Sequence, residues 1–307
     1  KITGSDEGVT EFEGTVRSNS GTIEKGKFNG EVTNNGTITG GEFTGTVTNN
    51  GVIKKADDGT APNFSGTVIN GEGGTIAEGV PILNLKFIVT FDNEGTKTTK
   101  IVAKDSTLTA PSPAPTKEGY RFDGWYYTEN KWDFDNNTVT CTMTLTAKWT
   151  AKTYLVTYYA DSYTNEKDHQ YDTKIHGQPL TLKGAIFTRS GYTQTGWATV
   201  DGGEKIYGLD AVYTQNEALT LYPVWNTNKY TITFDSTGGS EMITKTMDVT
   251  YGEPLGDMPV PIRLGYFFCG WYDALAGGKC YGGSDGKSTS QYDKTENCTL
   301  YAQWKIN

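Results

Sequence analysis

The sequence holds two histidines, the only side chains whose ordinary pKa suits a general base at neutral pH. His169 and His176 lie in a polar stretch, with no Gly-x-Ser-x-Gly turn and no cysteine motif beside them. We interpret them as surface histidines rather than metal ligands. Asp133 and Asp135 could be compared with a glycosidase acid pair, but alternation predicts that both lie on one solvated strand face. The residues therefore predict that the chain is not an enzyme.

Metal and cofactor sites are not indicated either. The four cysteines form no Cys-x-x-Cys pair, which predicts buried free thiols or one bridge: Cys141, Cys269, Cys280 and Cys298. The sequence leaves the disulfide state of the last three open. Asp57 and Asp58 form an acidic turn that could hold a weakly bound calcium ion, but the spacing of a dedicated oxygen cage is absent. We interpret the turn as a solvated loop and predict no cofactor and no metal.

Aromatic side chains are the candidates for contact with a partner. Trp132 lies in a loop of variable length, outside the repeated pattern described below, and an aromatic residue on a loop is a typical interaction hot spot. Tyr126, Tyr127 and Tyr272 directly follow repeated Gly-Trp corners. Trp and Tyr also stack on sugar rings. We predict partner contact at these four residues, and core packing for the six tryptophans that recur at fixed positions.

Charge and hydropathy exclude several classes of protein. The 307 residues carry 27 basic and 36 acidic side chains, a net charge of -9, and no Lys/Arg stripe that could follow a phosphate backbone. We therefore expect no nucleic-acid partner. No apolar run approaches the ~18 residues that span a bilayer, and the chain opens at Lys1 without a signal-like leader. We expect no membrane span in this chain.

The first 80 residues differ from the rest in composition, because all Trp, Tyr, His and Cys follow them. A Phe-x-Gly-x-Val phrase starts at Phe12, Phe28, Phe43 and Phe64, at intervals of 16, 15 and 21 residues. Such a short repeat cannot bury its own apolar face, whereas stacked coils can. The pattern predicts a glycine-rich β-solenoid over residues 1–82. A meander of hairpins that turn at Asn35-Gly36 and Asn50-Gly51 is the alternative.

From residue 87 onward a longer unit occurs three times. Each copy opens with an aromatic-x-Val/Ile-Thr-aromatic strand, continues to Gly-Tyr-x-x-x-Gly-Trp and closes with Leu-x-x-x-Trp. The two Trp of each copy are 24, 28 and 33 residues apart, which indicates a variable loop between fixed anchors. Period-2 alternation predicts strands, and no helix of ten or more residues is indicated. Pro223 lies in the second closing strand, which we therefore expect to be an edge strand or to carry a bulge.

These phrases resemble a known family. The segments Tyr230–Gly239, Gly119–Tyr126 and Leu300–Trp304 are similar to the Listeria-Bacteroides repeat, the B repeat of internalin-type surface proteins, over about residues 85–307. The resemblance implies small β-grasp-like, ubiquitin-like domains, used in tandem in bacterial secreted or wall-attached proteins for stalks, adhesion and host contact. It brings no catalytic residues. The middle copy departs most, because Tyr158–Asp161 replaces the Phe-Asp-x-x-Gly-Gly turn and Gly191–Trp197 lacks the second aromatic. The first 80 residues fall outside the family.

Together these observations predict a mainly β, elongated, extracellular protein that is not an enzyme. We expect a cell-surface or secreted monomer whose repeats act as spacer and adhesion modules, with a host or cell-surface protein or glycan as partner. The alternative is an extracellular carbohydrate-binding module that uses loop aromatics. Four domains are expected: a solenoid at 1–82 and repeats at 85–150, 151–227 and 228–307.

Overall fold

A computed structural model describes residues 10–18, 21–161 and 169–307, which form 28 strands and no helix. The prediction of a mainly β fold is confirmed. The chain divides into two compact units, which end and begin at Lys152 and Thr153. Each unit holds two of the four predicted domains, so the four-domain division stays a prediction. Residues 1–9 of the predicted solenoid lie outside the described part.

The first unit begins with short strands that stack in three parallel ladders. Strands about 15 residues apart pair with each other, as successive coils require and as an antiparallel hairpin meander does not allow. The alternative of a hairpin meander is therefore wrong, because the observed pairs are parallel. The strands are β1 (Glu11–Phe12), β2 (Val16–Ser18), β3 (Thr22–Ile23), β4 (Lys27–Phe28), β5 (Val32–Asn34), β6 (Thr37–Ile38), β7 (Glu42–Phe43), β8 (Val47–Asn49), β9 (Val52–Ile53), β10 (Asn63–Asn70) and β11 (Thr75–Ile76).

Identical residues stack inside these coils. The rings of Phe12, Phe28, Phe43 and Phe64 lie face to face at centroid distances of 4.8, 4.8 and 4.9 Å. Beside them, a ladder of buried amides runs from Asn34 through Asn49 to Asn70, with each Nδ2 donating to the next Oδ1 at 2.7 Å. The recurrence of Phe and Asn once in each coil of the sequence thus becomes direct contact between coils.

The first aromatic repeat continues the sheet of the coils, since β10 pairs in parallel with the start of β12. Its strand order is β13-β12-β16-β14-β15, with β12 and β16 parallel and the other pairs antiparallel. This order of a hairpin, a parallel closing strand and an antiparallel third strand agrees with the β-grasp-like expectation, without a helix. The strands are β12 (Ile82–Asn93), β13 (Thr96–Ala103), β14 (Tyr120–Tyr127), β15 (Asn130–Lys131) and β16 (Met143–Ala151).

The second unit repeats this arrangement twice, as β18-β17-β23-β20-β21 and β25-β24-β28-β26-β27, with a small β19-β22 pair in the middle repeat. Its first seven strands are β17 (Thr153–Tyr158), β18 (Gln170–Ile175), β19 (Leu180–Thr181), β20 (Tyr192–Ala198), β21 (Tyr207–Gly208), β22 (Val212–Tyr213) and β23 (Leu219–Thr227). The third repeat follows with β24 (Lys229–Asp235), β25 (Thr246–Thr250), β26 (Tyr266–Tyr272), β27 (Cys280–Gly282) and β28 (Cys298–Ile306).

Each repeat closes its own core around the Trp of its Gly-Trp corner: Trp125, Trp197 and Trp271 are at most 5% exposed. A register shift precedes each of these tryptophans. Pro223 was expected on an edge strand or beside a bulge. The edge position is wrong, because β23 lies between β17 and β20, whereas the ladder of β23 with β20 does carry a register shift, between Gln194 and Gly196. The parallel pairing with β17 ends at Leu221, two residues before Pro223, so the missing N–H leaves no bond to β17 unmade.

The second and third repeats are joined through packed residues. The Asn228 amide donates to the Gly191 carbonyl at 2.9 Å, and the Tyr251 amide donates to the Asn228 carbonyl at 3.0 Å. The ring of Tyr251 contacts Tyr192 edge-on at 5.9 Å and lies where a Cβ at Gly191 would point. The short polar joint at residues 226–229 is therefore held by specific contacts inside the second unit.

Candidate functional site

The middle repeat carries an open groove of about 990 Å³ on its surface. The groove lies where the ends of β17 and β18, the segment before β20, the loop after β20 and the middle of β23 meet. Its aromatic and charged lining residues are Asp161, His169, Phe187, Arg189, Tyr192, Asp201 and Trp225. We call it the middle-repeat groove. Its volume lies at the upper end of the range typical of small-molecule sites.

Trp225 is the closing tryptophan of the middle repeat, and its counterparts are Trp149 and Trp304. In the third repeat the turn after β24 covers this tryptophan: the Trp304 Nε1 donates to the Ser236 carbonyl at 3.1 Å, and Gly239 packs against the indole. Arg263 holds the same turn by donating to the Thr237 carbonyl at 3.2 Å. The middle repeat lacks the Gly-Gly pair in its sequence, and its closing tryptophan, Trp225, lines the groove.

A second departure lies behind the groove. Where the other repeats have Phe122 and Phe268 packed on both of their tryptophans, the middle repeat has Gln194, which is 4% exposed. The Oε1 of Gln194 accepts the Phe187 amide at 3.2 Å, and the residue pairs across the ladder with Trp225. A polar side chain thus replaces a phenyl ring between two residues that line the groove.

The groove presents charged and polar groups around its aromatic rings. The Arg189 guanidinium stacks on Tyr192 at 4.0 Å, and the His169 ring lies 5.5 Å from Tyr159. His169 Nδ1 and Gln194 Nε2 are two of the six buried side-chain polar atoms that have no hydrogen-bond partner among the described residues, and the other four lie in the first repeat.

The four predicted contact residues lie outside this groove. The Trp132 ring is 8% exposed and packs in the core of the first repeat, because its amide donates to the Trp125 carbonyl at 2.8 Å and brings the loop back over the sheet. A partner would reach little of it. Tyr127 is exposed and Tyr126 half-buried under the Lys148 ammonium, which lies 4.7 Å from its ring. Tyr272 is half-buried on β26, and burial raises the pKa of its hydroxyl. Their contact role stays a prediction.

The residues considered for catalysis, a histidine and an aspartate pair, form hydrogen bonds that hold the local structure. The Nδ1 of His176 hydrogen-bonds with the Tyr154 hydroxyl at 3.1 Å. Asp133 and Asp135 lie in a turn and not on a strand face, because Asp133 Oδ1 accepts the Asp135 amide at 2.9 Å and fixes the chain there. The prediction of a common strand face is wrong for this reason.

The acidic turn considered for calcium binding and the four cysteines also have defined surroundings. Asp58 closes its loop by accepting the Thr60 amide at 2.8 Å, which lowers the pKa of its carboxyl. All four cysteines are half-buried free thiols, and burial raises the pKa of Cys298. In the described part of the chain, no three His, Cys, Asp or Glu side chains gather as metal ligands would. A helix able to cross a membrane is not found there either.

Sequence reasoning singled out the departures of the middle repeat from the pattern, but not the groove on the surface of that repeat. The signal was present in Gly191–Trp197, where Gln194 stands in place of the phenylalanine of the other copies. No pattern in the sequence shows that His169, more than fifty residues before Trp225, would line the same groove.

Comparison with known proteins agrees with the repeat pattern. The profile of the Listeria-Bacteroides repeat domain matches residues 87–148, 154–224 and 230–303. Over 225 residues the chain is 29% identical to a provisionally named membrane protein of Evansella cellulosilytica, which covers 70% of this chain and 31% of that protein. A provisionally named Gly-rich membrane protein of the same organism is 28% identical over 233 residues, or 72% of this chain and 24% of that protein.

Internalin H of Listeria monocytogenes is 31% identical over 177 residues, which cover 57% of this chain and 29% of that protein. The chain spans a third or less of the length of these relatives. The three profile matches coincide with the three repeats predicted from the anchors and extend over more than half of the chain. The chain therefore belongs to the family of proteins that contain Listeria-Bacteroides repeat domains.

Proposed function

We propose that this chain is part of a bacterial cell-surface or secreted protein that is not an enzyme, and that its tandem repeats act as spacer and adhesion modules for contact with a host or another cell. The observation that carries the proposal is the construction of the repeats. The three copies of one sheet each enclose an aromatic core of their own. Because each copy has its own core, copies can be added in tandem to lengthen the protein, and no catalytic cleft shared between them is needed.

The spacer role is supported by the joints. The joint at residues 226–229 is short and hydrogen-bonded to the corner at Gly191, so bending there would break specific contacts. The sequence has an equally short connection at residues 150–153. Short joints of this kind favour limited bending between domains.

The adhesion role is supported by the middle repeat. A repeat that served only as a spacer would need no groove, whereas in this copy the half-buried Trp225 lines an open groove with charged groups. Internalin H and membrane proteins share the repeat, which is consistent with an extracellular location. We expect a protein or glycan on a cell surface as partner, and a monomeric chain.

Two measurements test the proposal. Small-angle scattering of the whole chain tests the spacer role: we expect the distance distribution of a rod, and a compact globule would contradict it. Beads coated with the chain test adhesion: we expect them to bind cultured epithelial or bacterial cells above beads coated with albumin. Equal binding of both beads to all cell types would contradict the adhesion role and leave the spacer role to stand on scattering alone.

A further inference from the structure

We propose that one corner of the third repeat is a docking face for a further repeat of the same family, held by an aromatic ring that packs on Gly265. We call this face the Gly265 corner, and its residues are Arg263, Gly265, Tyr266, Ile306 and Asn307. The inference rests on the proposed spacer role, for which it names the surface that couples one repeat to the next.

All three repeats build this corner in the same way. A cation stacks on the tyrosine that follows the corner glycine, in the pairs Lys117–Tyr120, Arg189–Tyr192 and Arg263–Tyr266, at 4.3, 4.0 and 4.1 Å from the ring centre. An amide just after the closing strand donates to the carbonyl of that glycine, from Lys152 to Gly119, from Asn228 to Gly191 and from Asn307 to Gly265, at 2.8, 2.9 and 3.0 Å. The second and third corners share the asparagine as well, so they can be compared residue by residue.

The corner of the second repeat is occupied by the third repeat. Tyr251, which directly follows the β24–β25 hairpin, has its ring against Gly191 and edge-on to Tyr192, and Gly191 is buried. The Tyr251 amide donates to the Asn228 carbonyl at 3.0 Å. One residue at the end of a hairpin therefore contacts the glycine, the tyrosine and the asparagine of the corner on which it docks.

The Gly265 corner has the same parts but is open. Gly265 is exposed, and apart from its chain neighbours no atom of the described residues lies within 4 Å of the place where its Cβ would be. Ile306 is 74% exposed, whereas Thr227, at the same place of the second corner, is half-buried. A left-handed φ accounts for glycine at both corners, but not for an exposed isoleucine beside it. A repeat docked as the third repeat docks on the second would cover this face.

A further repeat fits the Gly265 corner better than a second copy of this chain does. The residues that directly follow the opening hairpins of the three repeats are Lys104, His176 and Tyr251. The first is not aromatic, the second is bonded to the Tyr154 hydroxyl at 3.1 Å, and the third is packed on Gly191. The partner that fits is therefore a repeat with a tyrosine at this position, whose opening strand follows Asn307 as β24 follows Asn228.

The test is an extended chain in which a second copy of residues 229–307 directly follows Asn307, so that Asn307 takes the place of Asn228. Limited trypsin cleavage, read by intact mass, reports on both joints, because Lys229 and its appended copy release C-terminal fragments of different length. Cleavage within a folded chain requires local opening, so we expect both docked joints to be cleaved at rates within a few fold of each other. Cleavage more than about tenfold faster at the appended joint overturns the inference.

Three variants of the extended chain separate docking from folding. Gly265→Ala places a Cβ under the docked ring and is expected to speed cleavage at the appended joint about tenfold, with no change at Lys229. Gly191→Ala is the matched control and should do the reverse. Tyr251→Ala in the appended copy alone removes the ring and leaves the third repeat untouched, so we expect it to match Gly265→Ala at the appended joint. Unchanged cleavage there in the Tyr251→Ala chain overturns the inference.

The cleavage assay and the scattering of the unextended chain fail independently. A rod in scattering together with a freely cleaved appended joint keeps the spacer role and overturns the docking face. A globule in scattering together with a protected appended joint that Gly265→Ala opens keeps the docking face and contradicts the spacer role.

Discussion

The buried asparagine ladder offers the sharpest test of how the coils are held together, through the substitution Asn49→Ala. Asn49 is fully buried, its Nδ2 donates to Asn70 Oδ1 at 2.7 Å and to the Thr75 carbonyl at 3.2 Å, and its Oδ1 accepts from Asn34 at 2.7 Å. The substitution removes all three bonds and leaves two buried amides, those of Asn34 and Asn70, without this partner. At about 1 kcal/mol per bond plus the unpaired groups, we expect a loss of about 3–5 kcal/mol.

Asn50→Ala is the matched control, because the neighbouring residue makes an exposed amide contact with Asn35 at 3.2 Å. Replacing such a surface residue is expected to change stability by about 0.5 kcal/mol or less. Both variants remove one side-chain amide, from Asn49 inside the coils or from Asn50 on the surface. The difference between their stabilities therefore measures how much the buried ladder contributes to the stability of the coils.

Hydrogen exchange followed by mass spectrometry is the suitable assay, since the coils contain no Trp or Tyr to report unfolding by fluorescence. The amides of Asn50 and Lys54 are useful probes, because they bond to Asn34 and Ile38 of the preceding coil. We expect Asn49→Ala to speed their exchange about a hundredfold or more, at 1.4 kcal/mol per factor of ten. Exchange no faster than in Asn50→Ala would refute the reasoning that the amide ladder stabilises the stack.

Three further predictions concern the second unit. In calorimetry, Gly191→Ala should lower the melting temperature more than Gly265→Ala. Both glycines have φ near +80°, but only at Gly191 would the added Cβ meet the Tyr251 ring. Equal losses of melting temperature would contradict the packed joint. The Lys294 ammonium, 2.9 Å away, lowers the pKa of Asp273, so stability present above about pH 4 should be lost as pH falls below it. Asp273→Asn should flatten urea midpoints measured between about pH 2 and pH 5; an unchanged slope would count against the ion pair. Burial raises the pKa of Tyr158, so wild-type stability should fall above about pH 10 more steeply than that of Tyr158→Phe, and parallel curves would contradict this.

Much of the fold follows from repetition that is visible in the sequence. Phe28 and Phe43 occupy the same place in successive copies of the repeated phrase, which implies that their rings meet in neighbouring coils, and they stack at 4.8 Å. Fixed Gly-Trp corners likewise imply one core per repeat, and Trp197 and Trp271 are fully buried. In both cases one physical rule applies to every copy, so the pattern itself carries the information.

Residues outside the repetition were harder to place. Trp132 was expected on an exposed loop, but a backbone bond to Trp125 returns it to the core. Pro223 was expected on an edge strand or at a bulge, but it lies on a central strand whose pairing with β17 ends at Leu221. Both outcomes depend on how a loop or a partner strand runs in space, which alternation along one segment does not encode. The middle-repeat groove was not predicted for the same reason, because its lining comes from several segments that are far apart in the sequence.

The central proposal is that tandem repeats, each with an aromatic core of its own, build a spacer that bends little at its short joints. Small-angle scattering of the whole chain tests this proposal most directly. We expect the distance distribution of an elongated rod. The distribution of a compact globule would contradict the proposal.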